Sequence, residues 1–154
     1  MRLDRLDFAI LERLLRNGRA SFLKLAKELK VPDTTIHFRV KRLQESGVLK
    51  GFTVAVDPRG LGFPDIALIK LRIASEVMPH LTADRLEELA SDFSKLEEVR
   101  FIATSVESAE LLAMTATNDR RRTNEIAKQM ERSGGIESIE VVRLSDVIKG
   151  HFPL

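Results

Sequence analysis

Between Thr34 and Arg42 the chain sets two hydroxyls (Thr34, Thr35), an imidazole (His37), a phenyl ring (Phe38) and three cations (Arg39, Lys41, Arg42) close together. Hydroxyl and imidazole groups hydrogen-bond to base edges, threonine methyls and phenyl rings touch the thymine methyl, and lysine and arginine pair with phosphate oxygens. The set suits recognition of double-stranded DNA. It does not suit catalysis: His37, His80 and His151 stand far apart, and cysteine and tyrosine are absent, so no acid–base or thiolate constellation is in view and no enzyme is expected. Without cysteine there is also no disulfide framework or thiolate metal site, and no metal or cofactor is expected.

These side chains need a rigid mount, and the residues around them supply one. Leu6, Ile10, Leu11, Leu14 and Leu15 recur on one apolar face, which predicts a first helix from Asp4 to Asn17 with Asp4 as its cap and Asn17-Gly18 as its stop. A second helix, Ser21 to Lys30, is capped by Ser21 and buries Phe22, Leu25, Ala26 and Leu29. The third starts at Pro32-Asp33 and stops at Ser46-Gly47. At about 100° per residue Ile36, Val40 and Leu43 face the first two helices, leaving Thr34, Phe38, Lys41, Arg42 and Glu45 outward with Thr35 and His37 on the flanks. Two short helices joined by a tight break, the second ending in a basic cluster, have the layout of a helix-turn-helix.

Charge is divided to match. Residues 1 to 50 carry 12 Lys/Arg against 6 Asp/Glu, a surplus of six positive charges, whereas the remaining 13 basic and 17 acidic residues leave the rest of the chain at minus four. A polyanion is attracted to one end and mildly repelled by the other. Hydrophobic residues at 44% and charged residues at 31% describe a folded chain rather than a disordered one. The charged first residues Arg2, Asp4, Arg5 and Asp7 do not form a signal core, and no apolar run approaches the roughly 18 residues of a membrane span, so a cytoplasmic protein with no membrane association is expected.

Beyond the third helix the pattern changes. Phe52, Val54 and Val56 alternate with small residues, which predicts a strand over Val48 to Val56 that needs a partner from elsewhere in the chain or from a second subunit. Asp57 to Pro64 collects two glycines and two prolines and marks a domain break. After it come a strand (Ile66 to Ala74), a helix capped by Thr82 (Thr82 to Phe93), strands Val99 to Thr104 and Glu110 to Thr117, a helix (Asp119 to Ser133) and a last strand (Ile136 to Ile148). Strand, helix, strand, strand, helix, strand is the βαββαβ order of a ferredoxin-like domain, an antiparallel sheet with both helices on one face. Its other face is expected to be buried against another subunit. The fold class is therefore α+β: a winged helix-turn-helix over 1-50, a strand and hinge over 51-64, and a ferredoxin-like domain over 65-154.

Five stretches extend this reading: Leu3-Asp4-x-x-Asp7-x-x-Ile10-Leu11, Asn17-Gly18-Arg19-Ala20-Ser21, Leu25-Ala26, Arg39-Val40-Lys41-Arg42-Leu43 and Gly47-Val48-Leu49-Lys50-Gly51-Phe52. With them the chain resembles the Lrp/AsnC family, the feast/famine regulators, over its whole length. The resemblance implies a sensing and assembly domain at the C-terminus, a homodimer that assembles to a tetramer, octamer or larger ring, and an amino-acid effector bound between dimers. Two departures stand out. Pro32 occupies the recognition-helix cap, where the family commonly has serine. The family's Thr-Gly-x-x-Asp loop reads Thr104-Ser105-Val106-Glu107-Ser108 here, which makes Thr104, Ser105, Glu107 and Ser108 the candidate effector contacts. Loss of the glycine and the aspartate removes a close backbone approach and a carboxylate for an ammonium group, so the chain senses a different ligand or none.

On this reading Thr34, Thr35, His37 and Phe38 meet base edges, Arg39, Lys41 and Arg42 meet phosphates or, for an arginine, a guanine, and Ser21 with the start of its helix binds a phosphate through backbone amides. Bland placements stand beside these: Phe38 in the core or at a subunit contact, Arg39 in a structural hydrogen bond, and the Arg120-Arg121-Arg122 run solvated, salt-bridged or facing an acidic effector. The leading function is a sequence-specific transcription regulator. Its alternatives are a DNA-wrapping architectural protein, a pure oligomerisation module and a tetrapyrrole-decarboxylase-like enzyme with the same layout.

Overall fold

Three short helices open the computed structural model, which describes residues 2–74 and 79–146. Helix α1, Arg5–Arg16, begins where Asp4 accepts the backbone N–H groups of Leu6 and Asp7 while the Asp7 carboxylate accepts the N–H of Asp4, a reciprocal capping box. Helix α2, Phe22–Leu29, is capped by the Ser21 hydroxyl, which accepts from Lys24 N–H, and ends on Lys30 with φ +55°. That left-handed residue turns the chain sharply into helix α3, Asp33–Glu45. Pro32 stands at the N-cap of α3 with no side-chain cap bond, and Asp33, the first residue of the helix, accepts the N–H of its neighbour Thr34 through Oδ1 at 2.9 Å. Ile10, Leu14, Leu25, Ala26, Ile36, Val40 and Leu43 pack into one core between the three helices.

Leu15, expected on the buried face of α1, is 86% exposed. The apolar arc of α1 is narrower than the run of leucines suggests, since Ile10 and Leu14 already fill the space toward α2 and α3. The expected strand over Val48–Val56 is also absent: residues 50–57 take no regular secondary structure and pair into no ladder among the described residues. A single strand has no partner to pair with, and Phe52 and Val54 remain 49% and 72% exposed.

The chain divides into two compact units, Met1–Val54 and Ala55–Leu154. In the second, a 3-10 turn at Pro58–Leu61 precedes β1 (Asp65–Ile73), α4 (Pro79–Phe93), β2 (Val99–Ser105), β3 (Glu110–Thr117), α5 (Arg120–Glu131) and β4 (Ile136–Arg143). The sheet is antiparallel with order β2-β3-β1-β4, and both central strands derive from the two halves of the βαββαβ repeat, the ferredoxin-like topology. Helix α4 starts a turn before Thr82, which is buried inside it rather than capping it. Proline suits the first position because its missing N–H would be unpaired there in any case. Strand β4 stops at Arg143, and the remainder of the stretch expected to Ile148 runs from residue 147 outside the described residues, as does His151.

Alternation sorts the sheet residues cleanly. Ile69, Leu71 and Ile73 of β1 and Leu111 and Ala113 of β3 face the helices, where Leu86, Leu89, Phe93, Ile126 and Met130 complete the core. The opposite face carries a row of cross-strand partners, Phe101, Met114, Leu68 and Val142, with Phe101 and Val142 more than 40% exposed. Two residues along, the same face becomes charged, through Lys70 paired with Glu140 at 3.1 Å and Arg72 paired with Glu110 at 2.6 Å. Helix α5 opens on three arginines, two of them salt-bridged: Arg121 to Glu125 at 3.0 Å and Arg122 to Glu98 at 2.6 Å.

Candidate nucleic-acid interface

Burial of Ile36, Val40 and Leu43 fixes which side of α3 faces outward. Thr34, Phe38 and Lys41 then lie along one exposed ridge, with Phe38 63% exposed. A phenyl ring left this open loses the burial that would otherwise stabilise it by about 2 kcal/mol, so its place on the ridge is not a packing requirement of the helix unit. Among the described residues Lys41 makes only a long surface pair with Glu45 at 3.7 Å, in which both side chains are well exposed and which a phosphate can displace.

Either side of the ridge is held differently. On one flank the exposed His37 meets Phe22 of α2 edge to face, with ring centroids 4.7 Å apart, so its imidazole is oriented but not covered. On the other flank Thr35 is half-buried, and both arginines turn away from the ridge toward the start of α1. Arg39 Nη1 donates to Asp4 Oδ2 at 2.5 Å and lies 3.2 Å from Asp7 Oδ1, and Arg42 Nη2 donates to Asp7 Oδ2 at 2.7 Å. Asp7 is fully buried. The Asp7 N–H and then the Arg39 guanidinium hold the Asp4 carboxyl below its usual range, and the two carboxylates raise Arg39 further above its own. Arg39 and Arg42, expected at phosphates, are thus held by buried or capping carboxylates. Ser21 uses its hydroxyl on its own helix, leaving the N-terminal amides of α2 for an anion.

Neither Asp4 nor Asp7 was singled out for this partnership by its place in the sequence. The signal was present in two spacings of three, Asp4/Asp7 at a helix start and Arg39/Arg42 in a helix more than thirty residues on, but nothing in the sequence says that these two pairs meet.

At the β2–β3 hairpin, Ser105 and Ser108 come together with their hydroxyls 2.8 Å apart, and Ser108 donates to Glu110 Oε2 at 3.1 Å. Arg72 binds the same carboxylate and is the main cause of its lowered pKa. Thr104 and Glu107 are exposed and stand outside this network. Glu110 and Arg72 complete the cluster, and sequence reasoning missed both. The hairpin turns through Ala109, 1% exposed with φ +53°, a left-handed conformation usually left to glycine. Among the described residues no group of His, Asp and Glu is arranged to hold a metal, and no helix is long and apolar enough to cross a membrane.

Comparison with known proteins divides the chain at the same place. Residues 3–50 match a family model described as winged helix-turn-helix DNA-binding, and residues 63–152 match one described as the PF0864 C-terminal dimeric alpha+beta barrel domain. An uncharacterized HTH-type transcriptional regulator of Pyrococcus horikoshii is 30% identical over 153 residues, covering 96% of this chain and 91% of that protein. The structure of the Pyrococcus furiosus transcriptional regulatory protein PF0864, a member of the AsnC family, superposes with a TM-score of 0.72 at 28% identity over 97% of this chain and 94% of that one. The Neisseria meningitidis regulator NMB0573, solved as an L-Met complex, shares the fold with a TM-score of 0.79 at 19% identity, covering 99% and 96%.

Proposed function

The chain belongs to the Lrp/AsnC family of helix-turn-helix transcription regulators, and from that premise we propose that it reads its operators with the α3 ridge of Thr34, Phe38 and Lys41. The observation that carries this is the ridge itself: a hydroxyl, an uncovered phenyl ring and an uncommitted cation in line on the outer face of the second helix of the motif. Inserted into the major groove, Thr34 and the flanking His37 hydrogen-bond to base edges and Phe38 packs on a thymine methyl. Lys41 and the N-terminal amides of α2 at Ser21 anchor the backbone. Thr35, half-buried on the flank, reaches the groove with its hydroxyl.

The protein works as a homodimer. The uncovered sheet face, with its row of Phe101, Met114, Leu68 and Val142, supports pairing of two C-terminal units face to face, in agreement with the dimeric character of the matching domain family. Two heads then address half-sites related by two-fold symmetry, about one turn of DNA apart or a multiple of it. Dimers assemble further to tetramers, octamers or larger rings. Glu110, with Ser105 and Ser108, offers a carboxylate and two hydroxyls for a small amphoteric effector of the amino-acid class, and Thr104 and Glu107 border it.

Selection of bound sites from random duplex DNA, repeated with and without a panel of amino acids, tests the reading. Enrichment of a two-fold symmetric motif is the expected result, and a motif that shifts or weakens with one amino acid identifies the effector. Recovery of unenriched DNA at every round would refute sequence-specific readout and favour wrapping.

A further inference from the structure

The clamp between α1 and α3 has a consequence for DNA binding that the ridge alone does not. Arg39 and Arg42 lie one turn apart at the border of the reading face, yet both guanidiniums point back to the start of α1, Arg42 to the fully buried Asp7 at 2.7 Å and Arg39 to Asp4 at 2.5 Å and Asp7 at 3.2 Å. Arg42 reaches in so far that its Nε is buried without a hydrogen-bond partner among the described residues, and only the Asp7 charge compensates that guanidinium. Their side chains are nevertheless 22% and 34% exposed, so both remain at the rim and not inside the core.

We propose that Asp7 is a positioning residue that limits sequence-indifferent affinity, by holding Arg42 on the flank of α3 and away from DNA phosphates while Asp4 keeps Arg39 there. It rests on the reading that α3 contacts DNA. Each arginine released adds one phosphate contact and makes the dependence of log affinity on log salt steeper by about 0.9. Loss of the Asp7 charge leaves the Arg42 guanidinium, its Nε buried, without its carboxylate partner, and the side chain leaves that site for solvent and, when DNA is bound, for phosphate.

The experiment is a salt titration of full-length protein on random-sequence duplex, read by fluorescence anisotropy. Lys41→Gln makes the slope shallower by about 0.9, and Arg42→Gln leaves it at the wild-type value. Asp7→Asn makes it steeper by about 0.9, because Arg42 is released while Arg39 keeps Asp4 at 2.5 Å, and it strengthens binding to random duplex at low salt severalfold. A merely structural Asp7 would weaken binding and leave the slope unchanged. The proposal is overturned if Arg42→Gln flattens the slope as Lys41→Gln does, or if folded Asp7→Asn shows the wild-type slope. Should Asp7→Asn not fold by circular dichroism, the comparison of Arg42→Gln with Lys41→Gln decides alone. A wild-type slope near zero would remove the groove-binding reading itself, which is distinct from loss of the Arg42 result.

Discussion

Asp4 does two jobs with one carboxylate: it caps α1 and it receives Arg39 from the recognition helix. Its lowered pKa in the folded chain fixes the sign of a pH effect, since the unfolded carboxyl binds protons more readily than the folded one. The stabilisation is complete above about pH 4, the ordinary carboxylate range, and is lost as pH falls through the lower folded-state value. Urea midpoints measured from neutral to strongly acidic pH should therefore separate wild type from Asp4→Asn at neutral pH and converge in acid. A gap that widens in acid would contradict this assignment. The ridge makes a complementary prediction: Thr34→Ala and Phe38→Ala alter the selected DNA motif while leaving the salt slope unchanged, because neither side chain touches a phosphate.

Turns between elements carry measurable strain. Lys30 closes α2 at φ +55° without glycine's freedom, and Gly47 follows α3 at φ +72° with open space around its missing side chain. Lys30→Gly should raise the stability of the helix unit by up to about 1 kcal/mol, and Gly47→Ala should lower it by about 1 kcal/mol, both from chemical denaturation. Elements of this kind were readable in advance: periodicities of 3.6 and 2, with Asp4 and Ser21 as caps, locate the described α-helices and the strands β1 to β4, whereas Thr82, expected as a cap, lies inside α4 and the 3-10 turn at Pro58–Leu61 reads only as a break. What resisted was non-local. The strand over Val48–Val56 has the right residues and no partner within the chain, Leu15 continues a leucine run past the width of the buried arc, and the Asp7 clamp joins residues 32 and 35 positions apart. Pattern in a window of residues reports propensity, and propensity does not say who meets whom.

On the scale of the whole molecule the two largest hydrophobic cores among the described residues, one in each unit, have no residue in common. Leu43→Ala, at a fully buried site, should cost about 3 kcal/mol and raise amide exchange through α1 to α3 while β1 to β4 remain protected; Leu111→Ala should do the reverse. The bare sheet face gives the assembly prediction. Phe101→Glu or Val142→Glu sets a charge in the row proposed to pair two units, so sedimentation should report monomers, and affinity for a two-half-site duplex should fall roughly a hundredfold as the heads lose their tether. Dimeric sedimentation of both variants would exclude this face. The stretch from residue 50 to residue 57, which contributes to no ladder among the described residues, bears on how such a chain changes over generations. Where a junction carries no pairing that a new sequence would have to reproduce, recombination near Val54 can exchange one reading head for another without repacking either core, and a lineage gains new operators while its body keeps the same partners.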